Sequence, residues 1–428
     1  IYIIYYYGCV VSCLLSIKWD LIMKINKKVL ISNFRNMNNY GSAMMGLITI
    51  QALITKYGKE NIEIYCELDN LESLEYLKKE FCQDIQINNY VRKKKQTKQN
   101  RLIRKFSILY DLIFTIKDRD FDEIIVLGGD DISEYYGKYE AALLLFSKWK
   151  TSFFSHIILL GQTLGPFDYW WNRLAVRLFL SRLSVYARDK WCVDYLKDNF
   201  NIDVTLSVDI AFNDLPMQNN LLLEREVLSS YNITPNQYIT IVASGLIDEG
   251  YYCSDRCVYI KQHCKVIEYL LGKYSNFDLV LLAHTFPPYG DESKLVNEIY
   301  ANLTSVQKQR VRIVTEKILP TRARFILGNG LFTITGRMHP AVSTYQMNKP
   351  AICLSYSDKY QGVIGESLNR SDLIVNAKNH EDWVSGKIVT LLIEKIEYLF
   401  HDYEIIQKQI QEKVKVNKEV IKNCLNKL

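Results

Sequence analysis

The sequence predicts an α/β protein of two doubly wound domains in tandem, facing a cleft, with helices at the C-terminus. Three features point there. From Val29 onward, short apolar runs of strand length alternate with longer stretches of helical period, the pattern of βα units with parallel strands. The alternation pauses after Asp209 and restarts at Tyr238, across a polar stretch carrying Pro216 and Pro235. Glycines, acids and cations recur just after the apolar runs, where an open parallel sheet binds its ligands.

In the first unit, strands are expected at 29–32, 62–65, 124–127, 157–160 and 185–187, and helices at 42–57, 140–149 and 172–183. In the second, strands are expected at 238–243, 279–283, 312–314, 331–335 and 351–354. Its helices fall at 259–273, 292–303, 321–326 and 341–347. These runs divide the chain into a first domain at 23–212, a linker at 213–236, a second domain at 237–390 and C-terminal amphipathic helices at 391–428.

Residues 1–17 are apolar and uncharged. The run is shorter than the ~20 residues that span a bilayer and lacks the basic start of a secretory signal. Met23 opens a basic start that runs into a strand. Residues 1–22 are therefore expected to lie outside the folded domains, as a remnant or an anchor. The cytoplasm is the expected compartment.

Composition narrows the function. Apolar residues make up 48% and charged residues 23% of the 428 residues, an ordinary soluble balance that excludes a disordered or polytopic membrane chain. Fifty-three basic against 47 acidic residues give a net charge of +6, too little to imply nucleic acid. Eight basic residues crowd 92–105; they read as a solvated linker or as contact with an anionic membrane at the inner face. Ten cysteines are too sparse for a disulfide scaffold. Cys253, Cys257, His263 and Cys264 contain one short cysteine pair, where structural zinc uses two ligand pairs. No phosphate-binding P-loop, zincin or serine-hydrolase motif is present.

Five strand-end clusters remain. Gly128-Gly129-Asp130-Asp131 combines close backbone approach with two carboxylates able to act as a base or to bind sugar hydroxyls. Gly161-Gln162-Thr163-Leu164-Gly165-Pro166-Phe167 sits at the next strand end, and Ala187-Arg188-Asp189 at the one after. His284 follows a buried strand, a position suited to an acid or base. Thr335-Gly336-Arg337-Met338-His339-Pro340 puts a guanidinium fork and an imidazole at a helix start, where anions are favoured. Tyr356 and Lys359 follow the next strand.

Taken in order with Asn39-Tyr40-Gly41-Ser42 and Asp209-Ile210-Ala211-Phe212, these clusters resemble the polysaccharide pyruvyl transferase family. The likeness runs from about Val29 to about Asn376, and departs from the family pattern at Ser42, Asp130 and Pro340. It implies two Rossmann-like domains in a glycosyltransferase-B-like arrangement. It also implies transfer of the enolpyruvyl group of phosphoenolpyruvate to two hydroxyls of a cell-surface polysaccharide precursor. His339, with His284 second, is then the acid, and Asp130 or Asp131 the base. Arg337, Arg188 and Lys359 would hold the donor, with Gly129, Gln162, Gly165 and Tyr356 lining the site. The partners implied are phosphoenolpyruvate and a sugar or lipid-linked oligosaccharide; no metal or cofactor is called for. The alternatives are a nucleotide-sugar glycosyltransferase of the same architecture and a non-catalytic polysaccharide-assembly paralogue.

Overall fold

The computed structural model describes residues 26–81, 84–91, 116, 118–288 and 290–428. The 1–22 extension and the basic 92–105 segment lie outside the described residues.

The N-terminal half holds a seven-stranded, all-parallel sheet in the order β3-β2-β1-β4-β5-β6-β7. Its strands are β1 (Lys27–Ser32), β2 (Ile62–Cys66), β3 (Ile87–Asn89), β4 (Glu123–Leu127), β5 (His156–Gln162), β6 (Ser184–Ala187) and β7 (Thr205–Leu206). Both faces are covered, so β4 is buried at every residue: Ile124 and Val126 pack on one side, Ile125 and Leu127 on the other. The helices are α1 (Tyr40–Tyr57), α2 (Leu71–Lys78), α3 (Glu140–Thr151), α4 (Trp170–Phe179) and α5 (Lys190–Phe200). Asn39 caps α1 through the Gly41 N–H, and Asp189 caps α5 through the Cys192 N–H.

The C-terminal half repeats the plan. Six parallel strands run in the order β10-β9-β8-β11-β12-β13. They are β8 (Tyr238–Val242), β9 (Asp278–Leu282), β10 (Val311–Val314), β11 (Thr333–Thr335), β12 (Ala351–Ser355) and β13 (Ile374–Asn376). The helices are α6 (Leu221–Ser230), α7 (Arg256–Lys273), α8 (Glu292–Ala301), α9 (Ser305–Lys308), α10 (Pro320–Asn329), α11 (Met338–Gln346), α12 (His380–Val384), α13 (Lys387–His401) and α14 (Tyr403–Leu425). In each sheet the strand order reverses beside the first strand, which opens a crevice at the carboxyl ends.

Several boundaries differ from the sequence expectation. The 213–236 stretch is not a plain linker, because α6 lies within it and buries Val227 and Leu228. The helix expected at 172–183 starts at Trp170 and ends at Phe179, and a 3-10 turn carries the chain into β6. The C-terminal helices begin at Lys387, and α14 returns to the first half. There the Leu428 carbonyl accepts from the Tyr57 hydroxyl at 3.2 Å, and Lys418 Nζ meets Asp214 at 2.7 Å.

The halves are stitched beside the crevice. Asn39 and Thr285 form a β-bridge, and the Phe286 N–H donates to the Asn38 carbonyl at 2.9 Å. The Tyr40 hydroxyl accepts from the Ile318 N–H at 2.8 Å. Arg324 of α10 is fully buried and donates to the Ala211 and Asn213 carbonyls at 2.7 and 2.8 Å.

Candidate active site

The strand ends of both sheets meet across a cleft of about 660 Å³. From the first sheet come Ser32 closing β1 and Asn33 after it, Gly128 to Ile132 after β4, Gln162 closing β5 and Arg188 after β6. From the second come His284 and Thr285 after β9, Arg337 to Pro340 after β11, and Tyr356 and Lys359 after β12.

His339 lies in the first turn of α11, and its side chain is 18% exposed. Its Nε2 is 3.6 Å from Asp209 Oδ2, beyond hydrogen-bond range but within ion-pair range. Asp209 is wholly buried and also meets Arg188 Nη1 at 3.4 Å. Burial pushes the Asp209 carboxyl up, but the His339 imidazole, the Arg188 guanidinium and the Ala211 N–H outweigh it and hold it at about 2. The ring of His339 rests on the backbone of Gly41 in α1. A Cβ there would stand 2.1 Å from Nδ1. The first half thus supplies both the floor and the counter-charge of an imidazole carried by the second.

Arg337 is held by Glu292, the first residue of α8. Its Nε donates to Glu292 Oε1 at 2.6 Å, and the carboxylate is fully buried. Burial works against the Arg337 charge, but the Glu292 carboxylate more than offsets it and raises the guanidinium pKa. Glu292 also accepts from the Gly245 N–H at 3.2 Å and from the His284 and Thr285 N–H groups at 2.9 Å each. One carboxylate therefore ties together the loops after β8, β9 and β11. The Gly336 carbonyl, one residue before Arg337, accepts from the Tyr252 and Tyr360 hydroxyls.

His284 is 1% exposed, and its ring packs edge-on against Tyr40 with centroids 5.1 Å apart. Burial, then the nearby positive charges of His339, Arg337 and Arg324, push its pKa well below the usual imidazole value. It is neutral at ordinary pH. His284 Nε2 and Gln162 Oε1 are buried with no hydrogen-bond partner among the described residues. Both residues line the cleft.

On the opposite wall, Asp131 accepts from Asn33 Nδ2 at 2.7 Å, and Asp130 lies beside it. Gln162 ties the ends of β4 and β5 by donating to the Leu127 carbonyl at 2.8 Å. Lys359 projects over the Tyr356 ring at 4.7 Å and has no carboxylate partner among the described residues.

Ten of the eleven site residues expected from the sequence line this one cleft. Gly165 does not. It sits behind the wall at φ +94, with its N–H donated to the Ile132 carbonyl at 2.9 Å, and so holds the Asp130–Asp131 loop in place. Arg188 is also less free than expected, since Asp209 and the Thr163 hydroxyl (3.0 Å) occupy it. Sequence reasoning gave no role to Glu292, Asp209 or the lining residues Arg35 and Lys148. Asp209 carried a signal, within Asp209-Ile210-Ala211-Phe212. Glu292 carried none beyond an acidic helix start. Among the described residues no three His, Cys, Asp or Glu side chains are grouped to hold a metal ion.

The model of the family "Polysaccharide pyruvyl transferase" matches residues 39–358, a span that includes every cleft residue from Asn39 to Tyr356. The chain belongs to that family. It is 20% identical over 321 residues to the amylovoran biosynthesis protein AmsJ of Erwinia amylovora, covering 71% of this chain and 73% of AmsJ. Among solved structures, it resembles the UDP-GlcNAc 2-epimerase of Neisseria meningitidis, with a TM-score of 0.58 and 13% identity over 94% of this chain and 99% of that one. A glycosyltransferase from Rickettsia africae aligns with a TM-score of 0.51 and 13% identity, over 93% and 96% of the two chains. These likenesses show the fold, two parallel sheets in the glycosyltransferase-B arrangement. The family gives the chain a general role as a polysaccharide-directed transferase.

Proposed function

We propose that this pyruvyl transferase moves the enolpyruvyl group of phosphoenolpyruvate onto two hydroxyls of a sugar in a polysaccharide precursor, forming a ketal and releasing phosphate. The observation that carries the reading is the single cleft with Arg337, His339 and Lys359 on one wall and two carboxylates on the other. A donor with a carboxylate and a phosphate needs fixed cations. Arg337 is fixed by Glu292, and Lys359 is free to follow the phosphate.

The buried Asp209 carboxylate, 3.6 Å from Nε2, orients the His339 ring toward the cleft. His339 delivers the proton to the donor's methylene carbon. The adjacent carbon gains oxocarbenium character and takes the oxygen of the first sugar hydroxyl, whose proton passes to Asp130 or Asp131. The second hydroxyl oxygen then displaces phosphate, and its proton leaves with the phosphate. His284, held neutral, serves as a hydrogen-bonding group toward the donor and not as the acid. The reaction as written draws on no cofactor.

The test is a mass measurement on the acceptor. A lipid-linked or nitrophenyl sugar incubated with phosphoenolpyruvate and the chain should gain the mass of pyruvate less one water. A chain that consumes a nucleotide sugar would leave phosphoenolpyruvate intact and add the mass of a sugar less one water.

A further inference from the structure

Large apolar side chains gather in the open on one part of the N-terminal half. Of the 21 that are exposed among the described residues, nine lie between Tyr135 and Leu178, about a tenth of the chain. On α4, Trp170 is 70% exposed, Leu174 46% and Leu178 54%. Their four-residue spacing makes one outward stripe. Leu143 on α3, and Phe153 and Phe154 just beyond its end, are exposed as well. Phe179 joins the two helices by packing against Phe146 and Trp149, with centroids 5.4 and 5.1 Å apart.

The charge on this face has one dominant sign. Leaving aside Glu140 and Lys148, which line the cleft, Lys150, Arg173, Arg177 and Arg182 stand against the single acid Asp168 between Ala141 and Leu183. Lys150 stands over the Phe146 ring at 5.4 Å and Arg182 over Phe153 at 4.0 Å. Arg177 is exposed beside Leu178. Protruding tryptophan, phenylalanine and leucine with cations among them match the interface of a bilayer, where rings enter the headgroup layer and cations meet lipid phosphates. No helix among the described residues is long and apolar enough to cross a membrane, so contact through this face is interfacial.

We infer that the outward face of α3 and α4 is a docking surface for an anionic lipid bilayer. The opposite flank of α3 supplies Glu140, Leu144 and Lys148 to the cleft. The docked surface therefore continues to the mouth of the cleft, and a sugar carried on a membrane lipid reaches it without leaving the bilayer. The docking itself does not depend on the donor proposed above.

The experiment is co-sedimentation of the full chain with vesicles of phosphatidylglycerol and phosphatidylcholine, beside vesicles of phosphatidylcholine alone. Binding is expected to the anionic vesicles only and to weaken with salt. The W170S/L174S/L178S variant should bind at least tenfold more weakly while keeping the wild-type melting temperature. As a readout on the unaltered chain, brominated acyl chains should quench tryptophan fluorescence, and Trp170→Phe should remove most of that quenching. Equal vesicle binding by the triple variant overturns the inference. So does a wild-type dimer that the triple variant converts to monomer with no vesicle binding in either form, since the face is then an interface between copies.

Discussion

At the scale of single residues, the site rests on one imidazole and the groups that hold it. His339 depends on Asp209 for orientation and on Gly41 for space. His339→Asn should lower turnover by ~10²–10⁴-fold with the melting temperature nearly unchanged; near-normal turnover would remove His339 from the mechanism. Asp209→Asn should cost roughly 10²-fold or more. Gly41→Ala separates position from charge. Alanine is the better helix former, yet its methyl would displace the His339 ring. Turnover should fall roughly 10²-fold, while circular dichroism stays that of the wild type. The strand-end clusters could be read from the chain because glycine, acid and cation follow an apolar run in plain order. The partners of those clusters could not, because the Asp209–His339 and Glu292–Arg337 pairs form only when loops from distant strands meet.

At the scale of elements, the carboxyl ends of the strands place the chemistry, and buried acids fix the loops that follow. Glu292 accepts hydrogen bonds from three loops, so Glu292→Gln turns an amide toward donors that need an acceptor. The expected cost is ~2–4 kcal/mol of stability, with a rise in the KM for the donor as Arg337 loses its anchor; a denaturant melt and a donor titration read the two effects separately. Strands with unbroken apolar runs, such as β4 and β5, were legible. Strands β3 and β7 were not, since three and two residues carry no period. Helix α6 reads as linker in the sequence because its exposed Leu221 and Leu222 blur the amphipathic pattern.

At the scale of the whole molecule, two sheets share one cleft because the seam beside it is closed by buried polar contacts. Glu80, just beyond α2, accepts from the Thr321 N–H at 3.0 Å and from its hydroxyl at 2.5 Å, across that seam. Burial raises the Glu80 carboxyl to about 7, against the opposing pull of Thr321, Arg324 and Arg322. A carboxyl raised on folding binds its proton more tightly in the native state. Its contribution is complete below the unfolded value near 4.5 and is lost as pH rises through about 7. The shift corresponds to ~3 kcal/mol. Glu80→Gln should therefore flatten the stability of the chain between pH 4.5 and about pH 7, the interval set by that shift; an unchanged slope in urea melts would place the titration elsewhere. The paired architecture could be anticipated from the restart of the βα pattern after Asp209. The return of α14 to the first half could not, because an amphipathic helix does not announce which surface it covers.

The most direct test of the central claim is phosphate release from phosphoenolpyruvate, followed with and without a sugar acceptor, for the wild type and Arg337→Ala. Release should require both the acceptor and Arg337. Release that ignores either one, or an acceptor that is modified while phosphoenolpyruvate stays intact, would contradict it.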